Sequence, residues 1–369
     1  MKHFGFGCMR LPLVTSNGTE IDYHQFQEMV DRFIEEGFTY FDTAHGYMHE
    51  QSEGALKKCL TSKYKREQYI LTDKLTSRFF EKEADILPLF YQQLQQCGVD
   101  YFDYYLMHAL NAKFYEKYTH CHAFDVVKGL KQQGRIKHIG ISFHDSPEVL
   151  EKILSEHEEI EVVQIQYNYF DLDNPKVQSQ GVYEVCLKYD KKIIIMEPCK
   201  GGRLVKYLPP QALAIYDQFA GSPASFALRF VTEKKNVMMV LSGVSNLEQI
   251  EDNMSFMKHF KPLSIEEHRA IEKVTNLLKQ NSDLISCTQC GYCTAGCVKK
   301  IDIPHLFSLY NHVQTESTFD GARKYAEATE TSGMASSCIK CGKCELSCPQ
   351  HLPIRELLGR VAKAFESEK

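Results

Sequence analysis

Eight of the chain's 14 cysteines fall in two short runs of one spacing, C-x2-C-x2-C-x3-C. The first run is Cys287, Cys290, Cys293 and Cys297; the second is Cys338, Cys341, Cys344 and Cys348, with Pro349 directly after it. Thiols clustered this closely in a reducing compartment point to a metal centre rather than to disulfides. Three close thiols and a fourth just beyond is the ligand order of a module with two [4Fe–4S] clusters, where each cluster takes three thiolates from one run and the fourth from the other. Cys287, Cys290 and Cys293 are therefore expected to share a cluster with Cys348, and Cys338, Cys341 and Cys344 with Cys297. Paired zinc sites are the alternative, but those use two separated C-x2-C knuckles.

A second constellation precedes the cysteines. Asp42 and Tyr47 in FDTAHGY, Lys74 in ILTDK and His108 in YLMH stand at or just past the ends of short β-branched or aromatic runs. A carbonyl that accepts hydride builds negative charge on its oxygen, so it needs a proton donor and positive polarity aimed there. An isolated tyrosine has a pKa of ~10, and a neighbouring ammonium lowers it by favouring the phenolate. Tyr47 is thus the expected donor and Lys74 its ammonium neighbour. Asp42 would pair with Lys74 and hold it, and His108 would orient the carbonyl or share the proton.

Eight runs must position these residues: 3–8, 38–42, 69–74, 103–108, 136–142, 161–166, 192–197 and 237–242. Amphipathic segments at 23–36, 83–97, 122–133, 147–157, 178–190 and 222–234 are long enough for crossover helices. The alternation predicts an α/β fold, a TIM (β/α)8 barrel, with a doubly wound sheet as rival. Segment 264–284 reads as one helix, with Ser264 and Glu267 as its capping box. Beyond it the chain repeats at an offset of 51, CTQCGYCTAGCVKKIDIPHLF from 287 against CIKCGKCELSCPQHLPIRELL from 338, matching Gly291 to Gly342. Helix-compatible stretches within 305–331 make the tail a small α-helical ferredoxin-like iron–sulfur domain. The expected domains are a barrel at 1–278 and a two-[4Fe–4S] domain at 279–369.

On these motifs the chain resembles the aldo-keto reductases, and with its cysteine tail their ferredoxin-fused branch. The resemblance runs through most of residues 3–255 and adds GISF (140–143), QIQYN (164–168), EPCKGGRL (197–204) and LSGVSNLEQIEDN (241–253) to the four polar residues. It implies Asp42, Tyr47, Lys74 and His108 as a catalytic tetrad, a small-molecule carbonyl or alcohol as substrate, and NAD(P)H as cofactor. It places Ser142 and Gln164 near the nicotinamide carboxamide, and Gly243, Ser245 and Asn253 around the phosphate and adenine end. Three residues depart from the family pattern: Phe143 for an asparagine on the carboxamide, Met196 for a stacking aromatic, and Gln249 for an arginine on the 2′-phosphate. NADPH is therefore not favoured over NADH.

Other residues have plainer readings. Gly5-x-Gly7 lacks the longer dinucleotide pattern. Cys8 and Cys199 read as small buried hydrophobes, and His45 and Glu197 as locally hydrogen-bonded. The KFYEKY stretch (113–118) reads equally as a pocket wall or a solvated loop.

The 369 residues are 43% hydrophobic and 25% charged with a net charge of −5, which fits a folded chain with no field to recruit nucleic acid. No apolar run nears the ~20 residues of a membrane span, so a cytoplasmic protein with no membrane partner is expected. The function so read is an oxidoreductase moving hydride between NAD(P)H and a carbonyl or alcohol, with two clusters that could serve a ferredoxin or flavoprotein redox partner. Nicotinamide delivers two electrons together while each cluster passes them singly, and no motif for flavin, the usual converter, is present. The alternative is an electron-transfer iron–sulfur protein whose barrel no longer binds nicotinamide and acts as a binding or redox-partner module. Phe143, Met196 and Gln249 favour it.

Overall fold

The structure, a computed structural model, describes residues 2–15, 18–280, 283–315 and 319–366. Eight strands close a barrel in chain order: β1 Phe4–Gly7, β2 Tyr40–Asp42, β3 Ile70–Leu75, β4 Phe102–Leu110, β5 Ile136–Phe143, β6 Val162–Gln166, β7 Lys192–Met196 and β8 Val237–Ser242. Each falls within two residues of an expected run. All neighbours are parallel, and β1 meets β8 through Phe4 opposite Val240, which closes the ring and excludes the doubly wound sheet.

Inside the barrel Tyr40, Leu106, Val162, Ile194, Met239 and Leu241 pack as one buried cluster. Two glycines let these side chains meet. A Cβ on Gly140 would stand 2.5 Å from Val162 Cγ1 and 2.6 Å from Leu106 Cδ2, and one on Gly5 would stand 2.8 Å from Leu241 Cδ2. Gly5-x-Gly7 is therefore a packing feature of β1.

Outside run the crossover helices Tyr23–Glu35, Ile86–Cys97, Ala123–Gln132, Pro147–Glu156, Ser179–Lys188 and Pro223–Thr232. Tyr23–Glu35 starts where the Asp22 carboxylate accepts from Gln25 N at 3.0 Å, a cap whose removal costs about 1 kcal/mol. Its residues Phe26, Met29, Val30 and Phe33 recur at helical spacing and are buried. Phe33 meets Phe4, Phe6 and Phe41 of the sheet. Truncating such a ring to alanine costs about 3–5 kcal/mol.

The chain divides into two compact units, Met1–Pro198 with Ala227–Leu263, and Cys199–Phe226 with Ser264–Lys369. In the second, helix Ile265–Gln280 opens on the expected box: Glu267 N donates to Ser264 Oγ (3.1 Å) and Ser264 N to Glu267 Oε2 (2.7 Å). Residues 281 and 282 of the expected 264–284 helix lie outside the described residues. Helices Ile303–Thr315, Gly321–Glu330 and Ile354–Phe365 bury Leu306, Phe307, Tyr325, Leu357, Leu358 and Val361 in one core. The internal repeat is also a backbone repeat. Gln289 and Lys340, Gly291 and Gly342, and Lys300 and His351 are pairs 51 residues apart with matching positive φ.

The segment after β7 belongs to this unit. Gly201 has φ +62° and lies so near Thr288 that a Cβ would stand 2.4 Å from its Cα, so only glycine fits. Arg203 donates to Ser286 Oγ, and Lys200 Nζ to Gln350 Oε1 at 3.4 Å. No described helix is long and apolar enough to cross a membrane.

Candidate active site

The carboxyl ends of the strands carry the polar residues, the face on which barrels of this type do chemistry. Asp42 ends β2, and Lys74 on β3 is fully buried beside it, its Nζ donating to Asp42 Oδ1 at 2.5 Å and to Thr43 O at 2.7 Å. Gln164 on β6 donates to the other carboxylate oxygen at 3.1 Å. Burial pushes the Asp42 carboxyl upward, while the Lys74 ammonium and the Gln164 amide pull it down. A buried ammonium needs such a partner, because an unpaired charge in the interior costs several kcal/mol.

Tyr47, in the loop after β2, is 8% exposed. Lys74 Nζ lies 4.9 Å from its ring centroid, and the His108 ring meets it edge-on at 5.7 Å. The four predicted tetrad residues are therefore together. His108 is held from both sides: its Nδ1 bonds Thr76 Oγ1 at 2.7 Å, and its backbone N–H donates to Tyr118 OH at 3.0 Å. Burial first, then the nearby Lys74, His144 and Arg78, holds the His108 imidazole well below its ordinary pKa. It is neutral at working pH, so it acts as a hydrogen-bonding group rather than as a cation.

Ser142 on β5 and Gln164 on β6 are register partners and both buried. Ser142 Oγ accepts from Ala109 N at 2.9 Å. After β8, Asn253 Nδ2 donates to Ser242 Oγ at 3.0 Å, and Asn246 caps helix Leu247–Met257 by accepting from Gln249 N at 2.9 Å. The Gln249 side chain turns back to accept from Ser245 N at 2.9 Å. Its amide thus tightens the loop where the family pattern has an arginine. A cation comes from elsewhere: Arg10 NH1 would stand 3.1 Å from a Cβ on Gly243, and Arg10 O accepts from Ser245 Oγ at 3.1 Å. Arg10 also reaches Glu197 Oε1 at 3.4 Å. A cation, the open backbone of Gly243 and a helix N-terminus form a donor set suited to a phosphate.

Several residues of the site were not read from the sequence. Behind Lys74, His45 Nδ1 bonds Glu53 Oε2 at 2.8 Å, the local bond expected for His45. Glu53 in turn hydrogen-bonds Asp73, and Gln93 Nε2 bridges Glu53 Oε1 (3.2 Å) and Lys74 O (3.1 Å). Burial pushes Glu53 up to about 7 and Asp73 upward as well, so the pair shares a proton. KFYEKY is not a solvated loop. It lies in helix Ala112–His120, whose Tyr118 is the buried anchor of His108. Cys8 is buried as expected, and Cys199 partly so.

In the second unit the eight thiols line two cavities. One takes Cys287, Cys290, Cys293 and Cys348; the other takes Cys297, Cys338, Cys341 and Cys344. The runs are crossed. Among the described residues no three of these sulfurs lie within 4.8 Å of one another, whereas four sulfurs about 2.3 Å from one zinc ion would sit ~3.8 Å apart. Backbone N–H groups serve the sulfurs, with Gln289 N donating to Cys287 Sγ at 3.4 Å and those of Gln350, His351 and Leu352 turned toward Cys348. Such bonds stabilise bound thiolates and tune cluster potentials. The donor set fits an iron–sulfur cluster in each cavity better than zinc.

Residues 3–276 match the model of the Aldo/keto reductase family. The chain belongs to that family. It is an oxidoreductase, and residues 286–352 match a 4Fe-4S dicluster domain, which assigns iron–sulfur binding to the tail. Among curated relatives of this aldo/keto reductase, an uncharacterized oxidoreductase of Schizosaccharomyces pombe is 27% identical, over 69% of this chain and 81% of its own. Prostaglandin F synthase 1 of Bos taurus is 25% identical, over 65% and 79%. Among solved structures, the holo form of an aldo-keto reductase from Bacillus halodurans aligns with TM-score 0.60 and 22% identity, over 74% of this chain and 91% of that one. An aldo/keto reductase from Klebsiella pneumoniae in complex with NADP and acetate gives TM-score 0.60 at 17% identity, over 74% and 91%.

Proposed function

We propose that the barrel transfers hydride between NAD(P)H and a small carbonyl or alcohol, and that the eight thiols hold two [4Fe–4S] clusters coupling the protein to one-electron transfer. The observation that carries the reading is the Lys74 ammonium, bonded to Asp42 and set under the Tyr47 ring beside a neutral His108. When bound, the nicotinamide supplies a hydride as an electron pair, and the clusters pass electrons one at a time.

The chain's own residues do the rest. The Tyr47 hydroxyl gives its proton to the oxygen of the carbonyl being reduced, and Lys74 stabilises the charge left on the phenol. Asp42 keeps Lys74 in place by accepting its hydrogen bond in a fully buried position. His108, fixed by Thr76 and Tyr118, donates or accepts a hydrogen bond that sets the carbonyl's direction. Ser142 and Gln164 hold the carboxamide, and Gly243, Ser245, Asn253 and Arg10 the phosphate and adenine end. Cys287, Cys290, Cys293 and Cys348 hold one cluster, and Cys297, Cys338, Cys341 and Cys344 the other. Thiols gathered for metal binding in this way favour a reducing, cytoplasmic location.

The test is anaerobic NAD(P)H oxidation with a panel of aldehydes and ketones. Tyr47→Phe is expected to lower turnover by about 10²–10⁴ while nucleotide binding is kept, the usual weight of a positioned acid. Full turnover in that variant would remove Tyr47 as the donor.

A further inference from the structure

The two cavities differ in what surrounds them. Segments 288–294 and 349–353 flank the first and contain no Lys, Arg, Asp or Glu. Around the second, Lys299, Lys300, Lys340 and Lys343 are all exposed, with Lys299 and Lys343 lining the cavity itself. Of the carboxylates near them, Glu345 is taken by Arg355 at 2.6 Å, and Asp302 lies 3.9 Å from His305 Nδ1. This positive face stands on a chain whose net charge is −5.

The same face is apolar where solvent reaches it. Val298 is 59% exposed, Ile339 56% and Leu346 73%, and the ligand Cys341 is exposed as well. Val298 and Ile339 also line the cavity. Exposed aliphatic side chains rimmed by lysines that form no salt bridge among the described residues, directly over a metal-binding cavity, have the composition of a transient docking patch. The lysines would steer an oppositely charged partner, and the small apolar centre would hold it briefly.

We infer that the face around Cys297, Cys338, Cys341 and Cys344 is the docking surface for a small acidic one-electron carrier protein, and that electrons enter or leave by this cluster rather than by the other. The inference rests on the cluster assignment proposed above. The step moves one electron between the cluster and the carrier's redox centre, so one is oxidised as the other is reduced and no bond changes.

Binding tests it without relying on turnover. Fluorescently labelled acidic [2Fe–2S] ferredoxin is titrated with anaerobic holoprotein at low and high salt, with basic cytochrome c as the opposite-charge control. The holoprotein should bind the ferredoxin at low salt, weaken on screening, and discriminate against cytochrome c. Lys299→Glu with Lys343→Glu should weaken ferredoxin binding by about tenfold or more while iron content stays that of the parent, and Leu346→Ser should weaken it without changing charge. Equal binding by parent and charge-reversed protein, or none by the parent, overturns the inference. So does sedimentation with phosphatidylglycerol vesicles that charge reversal abolishes when ferredoxin does not bind, because the face would then belong to an anionic lipid surface. Iron absent from the holoprotein would instead sink the cluster assignment, and missing NAD(P)H turnover with ferredoxin binding intact would count against the barrel alone.

Discussion

At the scale of single residues, the site is an arrangement of one phenol, one ammonium and one neutral imidazole. Lys74 is wholly buried, and its Nζ donates hydrogen bonds to Asp42 Oδ1 and Thr43 O that offset the cost of burying it. The fold brings the expected Asp42, Tyr47, Lys74 and His108 together, on or just after the carboxyl-terminal parts of β2, β3 and β4, which is why runs ending in polar residues pointed to them. Arg10 was not legible, since nothing in MRLP marks it as a partner of a loop more than 200 residues away. With Gln249 used to fix Ser245 N, Arg10 is the cation beside Gly243 at the proposed phosphate site. Arg10→Ala should therefore raise the NAD(P)H dissociation constant by about tenfold, the worth of one charge-assisted hydrogen bond. Nucleotide fluorescence titration reads it, and turnover at saturating cofactor should be little changed.

At the scale of elements, β3 presents Lys74 inward and its neighbour Asp73 to the opposite side, as strand alternation requires. Asp73 there meets Glu53, and the raised Glu53 carboxyl has a consequence for stability. Glu53 has its pKa raised to about 7 from an ordinary 4.5. The folded protein thus keeps a proton that the unfolded chain releases above about pH 4.5, so this contribution is full below that value and is lost as pH rises through about 7. Melting followed from about pH 5 to 8 should show Tm falling by on the order of 5 °C, and Glu53→Gln should flatten the slope. Most elements were legible from apolar periodicity, including all eight strands. Helix Ala112–His120 was not, because the aromatic run KFYEKY masks its pattern. Its signal was Asn111, which accepts from Phe114 N at 2.8 Å as an N-cap, followed by Tyr115 and Tyr118 three residues apart.

At the scale of the whole molecule, one chain carries a closed barrel and a cysteine module with internal symmetry. The repeat was legible in the two cysteine runs, but the reach of the second unit back to Cys199–Phe226 was not. That reach depends on Gly201 lying against Thr288, a contact no local pattern announces. The crossed thiol sets give a count that separates them from uncrossed ones. Anaerobic protein should hold about eight irons, two four-iron clusters. Cys290→Ser combined with Cys348→Ser should leave about four, because both ligands belong to one cavity; clusters built within single runs would both be lost. Dithionite-bleached visible absorbance and iron analysis decide it.

The central claim is hydride transfer at Tyr47, and isotope transfer tests it most directly. NAD(P)H carrying deuterium at the reactive nicotinamide carbon is incubated anaerobically with the carbonyl panel, and products are analysed by mass spectrometry. The account predicts deuterium on the carbinol carbon of the alcohol formed, and far less of that labelled alcohol from Tyr47→Phe. Alcohol formed without label, or labelled nucleotide bound and unconsumed across the panel, would contradict it.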